Sequence, residues 1–348
     1  MISKINIVIP VWGESYHDRL LNYTLPSLFS PNNFNILNEC GLKIYFYCSK
    51  SDQKIDLVEE ILTKLNLSYE ILYIENFFQN VSASNKYDVY GACHVDGIRL
   101  ALEDKSSLIT LQPDAIYTDN YFERIIEILN RNEIVFKNSI RLNLTQNLIE
   151  YLADFKNTRS LDLPLEIAKG MVISHIHPSM YQFIPFTKSN RFSPHRLIMF
   201  REDTLYMYNA DLHPIAIPYE ILSNLDLDKM LGAIDDPRCV SELLKSKPRF
   251  HIIKNNNHGL EFDLTAPNEQ LIPAVMPEFS FKNIIKHFLQ LHSVQKKFYT
   301  VPVKWNILNS FTSIQKSTFY EIVLVKLFLL VLISIRFFDN VFKKPFIK

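Results

Sequence analysis

Short apolar stretches alternate with longer amphipathic segments along the first 140 residues of the chain. Ile5–Pro10 is rich in β-branched residues and ends in proline, which is typical of a buried strand. Further strands are predicted at Leu42–Cys48, 69–74 and 108–111, and segments with helical spacing separate them. The succession of strand and helix, repeated four times, predicts an α/β fold with a doubly wound, mostly parallel sheet.

Polar residues follow the fourth predicted strand directly. Residues 108–111 run into Gln112-Pro113-Asp114, and Tyr121–Leu129 then has the apolar spacing of a helix. Open α/β sheets bind ligands beyond the carboxyl ends of their strands, so a carboxylate at this place indicates the floor of a cleft. The alternative for Asp114 is a helix N-cap or a turn residue, since Asp is favoured at both.

Beyond residue 140 the pattern is less regular and predicts an α+β half, residues 141–280, of the same domain. Its predicted elements are helices at 141–155 and 165–176, a hairpin at 197–208 and strands at 215–218 and 250–253. Gly170 is a candidate end for the second of these helices. The turn of the hairpin would lie at Glu202-Asp203.

Composition narrows the function classes. The chain has 7 glycines among 348 residues and no G-x-G-x-x-G or G-x-x-x-x-G-K pattern, which argues against dinucleotide-binding and P-loop proteins. Its four cysteines are scattered, which argues against zinc or a disulfide framework and favours a reducing compartment. The first apolar run is too short for a signal peptide, so we expect a cytoplasmic location.

Residues 281–348 form a basic, apolar tail. From residue 282 onwards the chain has 11 Lys and Arg against 2 Asp and Glu, a net charge of +9, and the rest of the chain has −9. An amphipathic helix is predicted at 281–291, and 322–338 is nearly all apolar but shorter than the roughly 20 residues of a spanning helix. This predicts a helix on an anionic membrane surface, here the inner face, with packing against the protein body as the alternative. An acidic body argues against nucleic acid as a partner.

Four segments together carry a resemblance to a known family. They begin at Ile5, Tyr45, Tyr87 and Leu108 and read INIVIPVWGE, YFYCSKSD, YDVYGACHVDGIRLAL and LITLQPDAIYTDNYFERI. Their order resembles the nucleotide-sugar-binding half of a glycosyltransferase of the GT-A fold and is closest to the family-2 type. The resemblance covers about the first 140 residues.

Three departures from that family's pattern are evident. Ser49, Ser51 and Asp52 stand where the family usually has an acidic pair after the second strand. Residues 93–97 (CHVDG) replace the family's Ala-Arg-Asn-x-Gly. Residues 112–114 (QPD) replace Asp-x-Asp, so that only the last carboxylate of this degenerate motif is kept.

The resemblance implies a donor site at the ends of these strands. The residues that it carries over are Pro10, Trp12, Glu14, Asp52, Asp96, Gln112 and Asp114. Trp12 would help to wall the pocket, while Glu14 and Asp52 would accept hydrogen bonds from base or ribose. Asp114 would lie on the sugar–phosphate or on a divalent metal, Mn²⁺ or Mg²⁺, that neutralises the leaving diphosphate. Gln112 can only hydrogen-bond, so metal dependence is left open.

Candidates on the acceptor side come mainly from their chemistry. A general base needs a carboxylate or imidazole near the acceptor hydroxyl, and Asp211 and His213 qualify; Asp203 matches a Glu-Asp pair of the family but lies in a predicted turn. The resemblance also implies a late metal ligand, His258 or Asp263, against the alternative of an Asn-rich surface turn. Four further aspartates either line the cleft or are solvated: Asp226, Asp228, Asp235 and Asp236.

Together with the resemblance, these observations predict a glycosyltransferase that moves a sugar from a nucleotide-sugar to a glycan or lipid-linked acceptor, as in surface-polysaccharide assembly. The likeness to the family-2 type implies that the transfer is inverting. The predicted partners are the nucleotide-sugar, the acceptor and a membrane surface. Two alternatives stay open. The incomplete motif also fits a non-catalytic binding or scaffold protein of the same fold. A nucleotidyltransferase would have a similar sheet, although no glycine-rich, lysine-bearing loop follows the first strand.

Overall fold

A computed structural model describes residues 2–76, 86–157, 160–184, 195–201, 204–210, 212–230, 232–253, 259–269, 280–306, 327 and 330–334. The strands are β1 (Ile5–Pro10), β2 (Leu42–Cys48), β3 (Ser68–Tyr73), β4 (Ser107–Thr110), β5 (Ala115–Tyr117), β6 (Ile134–Lys137), β7 (Ile140–Asn143), β8 (Arg196–Arg201), β9 (Thr204–Asn209), β10 (His213–Ile217), β11 (Phe250–Ile252), β12 (Glu261–Thr265) and β13 (Val303–Asn306). The helices are α1 (Glu14–Arg19), α2 (Leu25–Leu28), α3 (Pro31–Glu39), α4 (Ile55–Lys64), α5 (Lys86–Asp104), α6 (Tyr121–Leu129), α7 (Gln146–Ala153), α8 (Leu165–His175), α9 (Tyr219–Leu222), α10 (Pro237–Leu243), α11 (Phe281–Gln290) and α12 (Ser293–Tyr299).

Seven of these strands form the central sheet, in the order β3-β2-β1-β4-β10-β6-β11. Strand β10 runs antiparallel to its neighbours β4 and β6, whereas the other pairs in this sheet are parallel. The predicted fold class, an α/β protein with a central, mostly parallel sheet, is confirmed. Strands β10 and β11 come from beyond residue 140, so both predicted halves of the chain contribute to the sheet.

Strand β1 lies in the middle of the sheet, and all of its residues are buried. Val8 belongs to one hydrophobic cluster, while Ile5, Ile7 and Ile9 belong to the other. This division follows from the two-residue period of a strand and shows that both faces of the sheet are covered. Helix α5 packs on the Val8 face so closely that a Cβ atom on Gly97 would lie 2.7 Å from Val8 Cγ2.

The predicted helix at 141–155 is wrong in its first part. Strand β7 occupies this place and α7 follows it, with the Thr145 side chain accepting a hydrogen bond from the Leu148 N–H. Ile140 and Leu142 are buried and pair with Phe262 and Leu264 of β12. An alternation of only two apolar residues is too short to be distinguished from helical spacing in the sequence.

Two other elements agree with the pattern. Helix α8 continues through Gly170 and does not end there. A glycine inside a helix costs only about 1 kcal/mol of stability relative to alanine. A Cβ atom at Gly170 would meet nothing within 4 Å. Strands β8 and β9 form the predicted hairpin, because Arg201 pairs with Thr204. The turn residues themselves, Glu202 and Asp203, lie outside the described residues.

The amphipathic helix predicted in the tail is present as α11. Of the apolar stretch 322–338, residues 327 and 330–334 are described, and they are helical. Leu332 is buried in one cluster with Ile284 and Phe288 of α11. Among the helices in the described part of the chain, none is long and apolar enough to cross a membrane.

A buried ion pair connects the central sheet to the three-stranded sheet β5-β12-β7. It joins Lys137 of β6 to Glu261 of β12, and the Tyr121 hydroxyl also donates to Glu261, at 2.6 Å. Burial lowers the pKa of Lys137 to about 8, although nearby carboxylates oppose this. Both side chains are almost inaccessible to solvent, so loss of either partner would leave an uncompensated charge in the interior.

We expect Lys137→Met to lower the free energy of unfolding by about 3–5 kcal/mol, because Glu261 would remain charged and buried. The double variant Lys137→Met, Glu261→Gln should recover most of this loss, since no buried charge is left and Gln still accepts from Tyr121. Urea unfolding followed by circular dichroism measures both. Lys64→Met on the exposed face of α4 is the control and should change the free energy of unfolding by less than about 1 kcal/mol. Equal destabilisation in the single and double variants would contradict this account.

Candidate active site

A cleft of about 300 Å³ opens at the carboxyl ends of β1 and β4. These strands are parallel neighbours, so the residues that follow each of them meet at one edge of the sheet. The charged side chains that line the cleft are Asp114, Asp235, Asp263, Glu269, Lys86 and Arg141. Its aromatic lining consists of Trp12, Tyr16, Tyr87 and Tyr90. Aromatic walls with a few convergent charged groups are typical of a binding site for a small ligand.

Strands and helix ends place these side chains. The first five residues of α5 supply Lys86, Tyr87 and Tyr90. Strand β12 supplies Asp263, and β7 supplies Arg141, which is the Cα partner of Asp263 in the parallel pair of these strands. Three regular elements from separate parts of the chain thus contribute to the cleft, together with the loops that follow β1 and β4 and the loop that precedes α10.

The buried Arg19 holds Asp114 in place. Its Nη1 atom lies 3.4 Å from Asp114 Oδ2 and donates to the Leu264 carbonyl at 3.1 Å. Its Nη2 atom donates to Ser15 Oγ at 2.9 Å and to Glu269 at 3.2 Å. Two carboxylates of the cleft thus share one guanidinium group that is 6% exposed. This arrangement fixes Asp114 and neutralises part of the negative charge of the cleft.

Asp114 and Asp263 are brought together by β5 and β12. Strand β5 begins directly after Asp114 and pairs with β12, and the Leu264 N–H donates to the Asp114 carbonyl at 2.6 Å. Burial, followed by the charge of Asp263, raises the pKa of Asp114 to about 7, although Arg19 opposes this shift. Asp263 Oδ2 accepts from Ser139 Oγ at 2.6 Å, whereas its buried Oδ1 has no hydrogen-bond partner among the described residues.

These two carboxylates fit Mg²⁺ or Mn²⁺. Hard cations prefer oxygen ligands, and Mg²⁺ is commonly held by one or two carboxylates together with the phosphates of its substrate. Within the described ranges, no group of three or more His, Cys, Asp or Glu side chains is arranged to hold a metal. Phosphate oxygens would complete the coordination in that case. Of the two late ligands predicted from the sequence, Asp263 lines the cleft and His258 lies outside the described residues.

Asp235 lines the cleft from the loop that precedes α10. Its Oδ2 atom lies 3.8 Å from His213 Nδ1, and His213 Nε2 lies 3.2 Å from Thr110 Oγ1. Burial alone would raise the pKa of Asp235, but the interaction with His213 lowers it to about 2. Asp235 is therefore a carboxylate at neutral pH, and its oxygens can accept hydrogen bonds in the cleft.

Helix α5 holds the loop that carries Asp235. His94 Nδ1 accepts a hydrogen bond from the Ile234 N–H at 3.4 Å. Burial lowers the pKa of His94 to about 3, so the ring is neutral and its Nδ1 atom is free to accept. A Cβ atom on Gly91 would lie 2.4 Å from the carbonyl carbon of Gly232, so the loop can approach the helix only at a glycine.

Four residues that the sequence assigns to the donor site line the cleft: Pro10, Trp12, Gln112 and Asp114. Glu14 does not line it. Its side chain is 83% exposed and lies 3.4 Å from Lys54 Nζ.

Asp52 and Asp96 also lie away from the cleft lining and have structural partners. The carboxylate of Asp52 accepts from the backbone N–H groups of Gly13 and Ser49. Asp96 accepts from the Tyr47 hydroxyl at 2.8 Å. Carboxylates near strand ends can satisfy such donors instead of facing a ligand, and the sequence does not distinguish these uses.

The three candidate bases are placed differently. His213 lies against Asp235, which itself faces the cleft, and is not part of the lining. Asp203 and Asp211 lie outside the described residues, so their roles stay predictions.

Several cleft residues have no local signature in the sequence. Arg19 reaches Glu269 across 250 residues, and neither was predicted. Arg141 was assigned to a helix. Asp235 is one of four aspartates between residues 226 and 236. The sequence feature that distinguishes it is its position directly before Asp236, which caps α10 by accepting from a backbone N–H.

No family model matches the chain, and no curated protein matches it. Several solved structures are similar to it. S. aureus TarS has 11% identity and a TM-score of 0.36 over 85% of this chain and 43% of that chain. GalNAc-T7 with UDP, GalNAc and Mn²⁺ has 9% identity and a TM-score of 0.41 over 85% of this chain and 50% of that chain. Mannosyltransferase PcManGT from Pyrobaculum calidifontis in complex with GDP-Man and Mn²⁺ has 10% identity and a TM-score of 0.36, with 84% and 63% covered.

The chain thus spans 43% to 63% of the length of these three structures. Similarity at these scores and identities carries no argument about activity.

Asp114→Asn should stabilise the protein by about 1–3 kcal/mol at pH 8 and change its stability little at pH 4. The native pKa of about 7 lies above the value of about 4 for an unfolded Asp, so the native state binds this proton more tightly. The contribution of Asp114 to stability is therefore present below pH 4 and is lost as the pH rises to about 7, whereas Asn is neutral throughout.

Urea unfolding of wild type and variant at several pH values between 4 and 8 measures this difference. Asp154→Asn, at an exposed position, is the matched control. A stabilisation by Asp114→Asn that is the same at pH 4 and pH 8 would contradict the raised pKa.

Proposed function

We propose that this protein is a glycosyltransferase that uses a nucleotide-sugar donor, and that the cleft is its active site. The observation that carries the proposal is the pair Asp114 and Asp263 at the carboxyl edge of the sheet, in one cleft with Lys86 and Arg141. A nucleotide diphosphate needs positive charge around its phosphates as the sugar leaves. Two cationic side chains, and a divalent cation on two carboxylates, are suited to supply it.

The remaining lining suits the other parts of such a donor. Trp12 and Tyr16 offer flat apolar surfaces beside Pro10, at the end of β1, where the resemblance to the GT-A fold expects the nucleotide base. Gln112 carries both a hydrogen-bond donor and an acceptor for ribose or sugar hydroxyls. The departure from Asp-x-Asp therefore keeps a polar contact at this position but removes a charge.

Asp114 and Asp263 would hold the divalent cation. When bound, the cation offsets the charge that develops on the leaving diphosphate. Arg19 keeps the Asp114 carboxylate in a fixed position through contacts that lie beneath the cleft. The orphaned Oδ1 atom of Asp263 is the oxygen with an unused acceptor site.

Asp235 is the general base in this proposal. The acceptor oxygen bonds to the anomeric carbon of the sugar while the bond from that carbon to the diphosphate oxygen breaks. The diphosphate leaves with the electron pair, and the hydroxyl proton of the acceptor passes to the Asp235 carboxylate. Attack from the face opposite to the diphosphate inverts the configuration, as the family-2 resemblance implies.

Thermal-shift measurements with UDP-, GDP-, CDP- and CMP-sugars, with and without Mn²⁺, test the donor site. A donor at 100 times its dissociation constant should raise the melting temperature by about 3–4 °C, because it binds only the native state. Asp114→Ala should abolish this shift. Glu14→Gln is the matched control and should keep it, since Glu14 lies outside the cleft.

The other outcomes of this screen decide between the function classes. No shift with any donor would overturn the proposed donor site. If a donor gives a shift and a separate assay finds no transfer to any acceptor, a binding or scaffold protein is favoured. If nucleoside triphosphates are added to the screen and one of them binds selectively, a nucleotidyltransferase is favoured.

We further propose that the acceptor is a glycan or a lipid-linked sugar of surface-polysaccharide assembly, reached from the cytoplasmic face of a membrane. Leu330, Val331 and Ile333 are between 44% and 59% exposed on a helical segment whose Leu332 packs into the protein. Helix α11, in the same cluster, exposes Lys282 and Lys286. Apolar side chains beside lysines are typical of a helix that lies on an anionic lipid surface.

Sedimentation with phosphatidylcholine vesicles, with or without anionic phosphatidylglycerol, tests this contact. Binding should require the anionic lipid, and Lys282→Gln with Lys286→Gln should weaken it about tenfold or more, since each lysine contributes about 1 kcal/mol near such a surface. Lys64→Gln, on the exposed face of α4, should bind like wild type. Equal binding to neutral vesicles, or none to anionic ones, would overturn the proposal.

A further inference from the structure

We propose that Thr110 fixes the ring of His213 so that its Nδ1–H faces Asp235, and that His213 thereby acts as the positioning residue of the base. This inference rests on the proposed function, because it assigns a partner to the group that receives the acceptor proton. It depends on three features: a hydroxyl with a single proton, a ring nitrogen with no other partner and a loop that cannot shift.

The hydroxyl of Thr110 determines which ring nitrogen of His213 carries a proton. Thr110 Oγ1 lies 3.2 Å from the Pro214 carbonyl and 3.2 Å from His213 Nε2. A carbonyl oxygen only accepts, so the single hydroxyl proton is donated to Pro214. The hydroxyl is then an acceptor towards the ring, and His213 Nε2 must carry a hydrogen.

The other ring nitrogen faces Asp235. His213 Nδ1 is buried, lies 3.8 Å from Asp235 Oδ2 and has no hydrogen-bond partner among the described residues. With Nε2 already protonated, a neutral ring would present its Nδ1 lone pair to a carboxylate, which is repulsive. A hydrogen on Nδ1 makes this contact with the Asp235 carboxylate attractive instead.

Neither partner is able to move away easily. His213 begins β10, which lies between β4 and β6 in the central sheet. The Asp235 loop is held by the hydrogen bond from Ile234 to His94 and by the close approach of Gly91 to Gly232. The backbone that carries Asp235 is therefore held by residues that do not line the cleft.

Loss of the His213 side chain would remove the largest interaction that lowers the pKa of Asp235, while burial, which raises this pKa, would remain. A protonated Asp235 does not accept the acceptor proton, so the acid limb of the activity profile would move to higher pH. The other titratable groups near Asp235 come from α5, β6 and α10 with its cap, and they are the same in all variants compared below: Tyr90, His94, Lys137, Asp236 and Cys239.

The matched pair Thr110→Val and Thr110→Ser tests this inference in the full chain. Long-range ¹H–¹⁵N correlation spectra of ¹⁵N-histidine protein, with His213 assigned by its loss in His213→Gln, report which ring nitrogens are protonated. Wild type and Thr110→Ser should show a hydrogen on Nε2, whereas Thr110→Val should lose this preference. Identical His213 signals in Thr110→Val and Thr110→Ser, at equal melting temperatures, would overturn the proposal.

The titration of Asp235 is a second readout that does not need activity. Carboxyl ¹³C signals, assigned with Asp235→Asn, should show no Asp235 titration above pH 4 in wild type, because its pKa is about 2. In His213→Gln the titration should shift upwards by about one pH unit or more. An unchanged titration would show that His213 does not hold Asp235 in its ionised form.

Transfer assays separate this inference from the proposed function. If the spectra agree and no donor is turned over, the proposed function fails and the Thr110–His213–Asp235 arrangement stands. If transfer occurs, Thr110→Val should lower kcat about tenfold, a part of the roughly 10²–10⁴-fold that a general base contributes, with donor KM within about twofold of wild type. Thr110→Ser should rescue kcat, and full activity of Thr110→Val would overturn the positioning role.

Discussion

The close packing of α5 on the sheet is the constraint on which the rest of the structure depends. Gly97 allows the helix to contact Val8 of the central strand, and Gly91, nearly two turns earlier, allows the backbone at Gly232 to contact the helix from elsewhere. Between them, His94 accepts the Ile234 N–H. The same helix thus fixes its distance from β1 and the position of the Asp235 loop. Because its first turn also lines the cleft, a shift of α5 would displace the aromatic wall and the loop together.

The cleft concentrates charge that the fold only partly neutralises. Asp114, Asp263 and Glu269 lie together, and Arg19 reaches two of them. Both the raised pKa of Asp114 and the Asp263 Oδ1 atom, which has no partner among the described residues, indicate that the carboxylates repel each other here. A cation that binds between these carboxylates would relieve the repulsion, so ligand affinity and native stability oppose each other here. Nearby, the fully paired Lys137 and Glu261 hold the two sheets together without this cost.

The sequence pattern was sufficient to predict those elements whose buried residues recur at the spacing of a strand or a helix. Strand β1 and its parallel neighbours β2 and β4 were predictable because each is mostly apolar and buried. Gln112 and Asp114 were predictable because they directly follow β4. The sequence does not tell a carboxylate that faces a ligand from one that caps a loop, which is why Asp52 was assigned to the site although it accepts from two backbone N–H groups. Residues such as Arg19 could not be predicted, because their role depends on partners that only the tertiary fold brings near.

Asp114 is not an isolated carboxylate, although Gln112 stands where the family that the sequence resembles has a second Asp. The antiparallel pairing of β5 with β12 places Asp263 beside it, and a backbone hydrogen bond between Leu264 and Asp114 closes the pair. A second carboxylate is thus supplied from almost 150 residues away in the chain rather than from two. The binding of a hard cation depends on the oxygen atoms around it, whichever part of the chain supplies them. Gln112 therefore alters the sequence motif, but the cleft still has two carboxylates for a cation. The incomplete motif is therefore weak support for a non-catalytic protein.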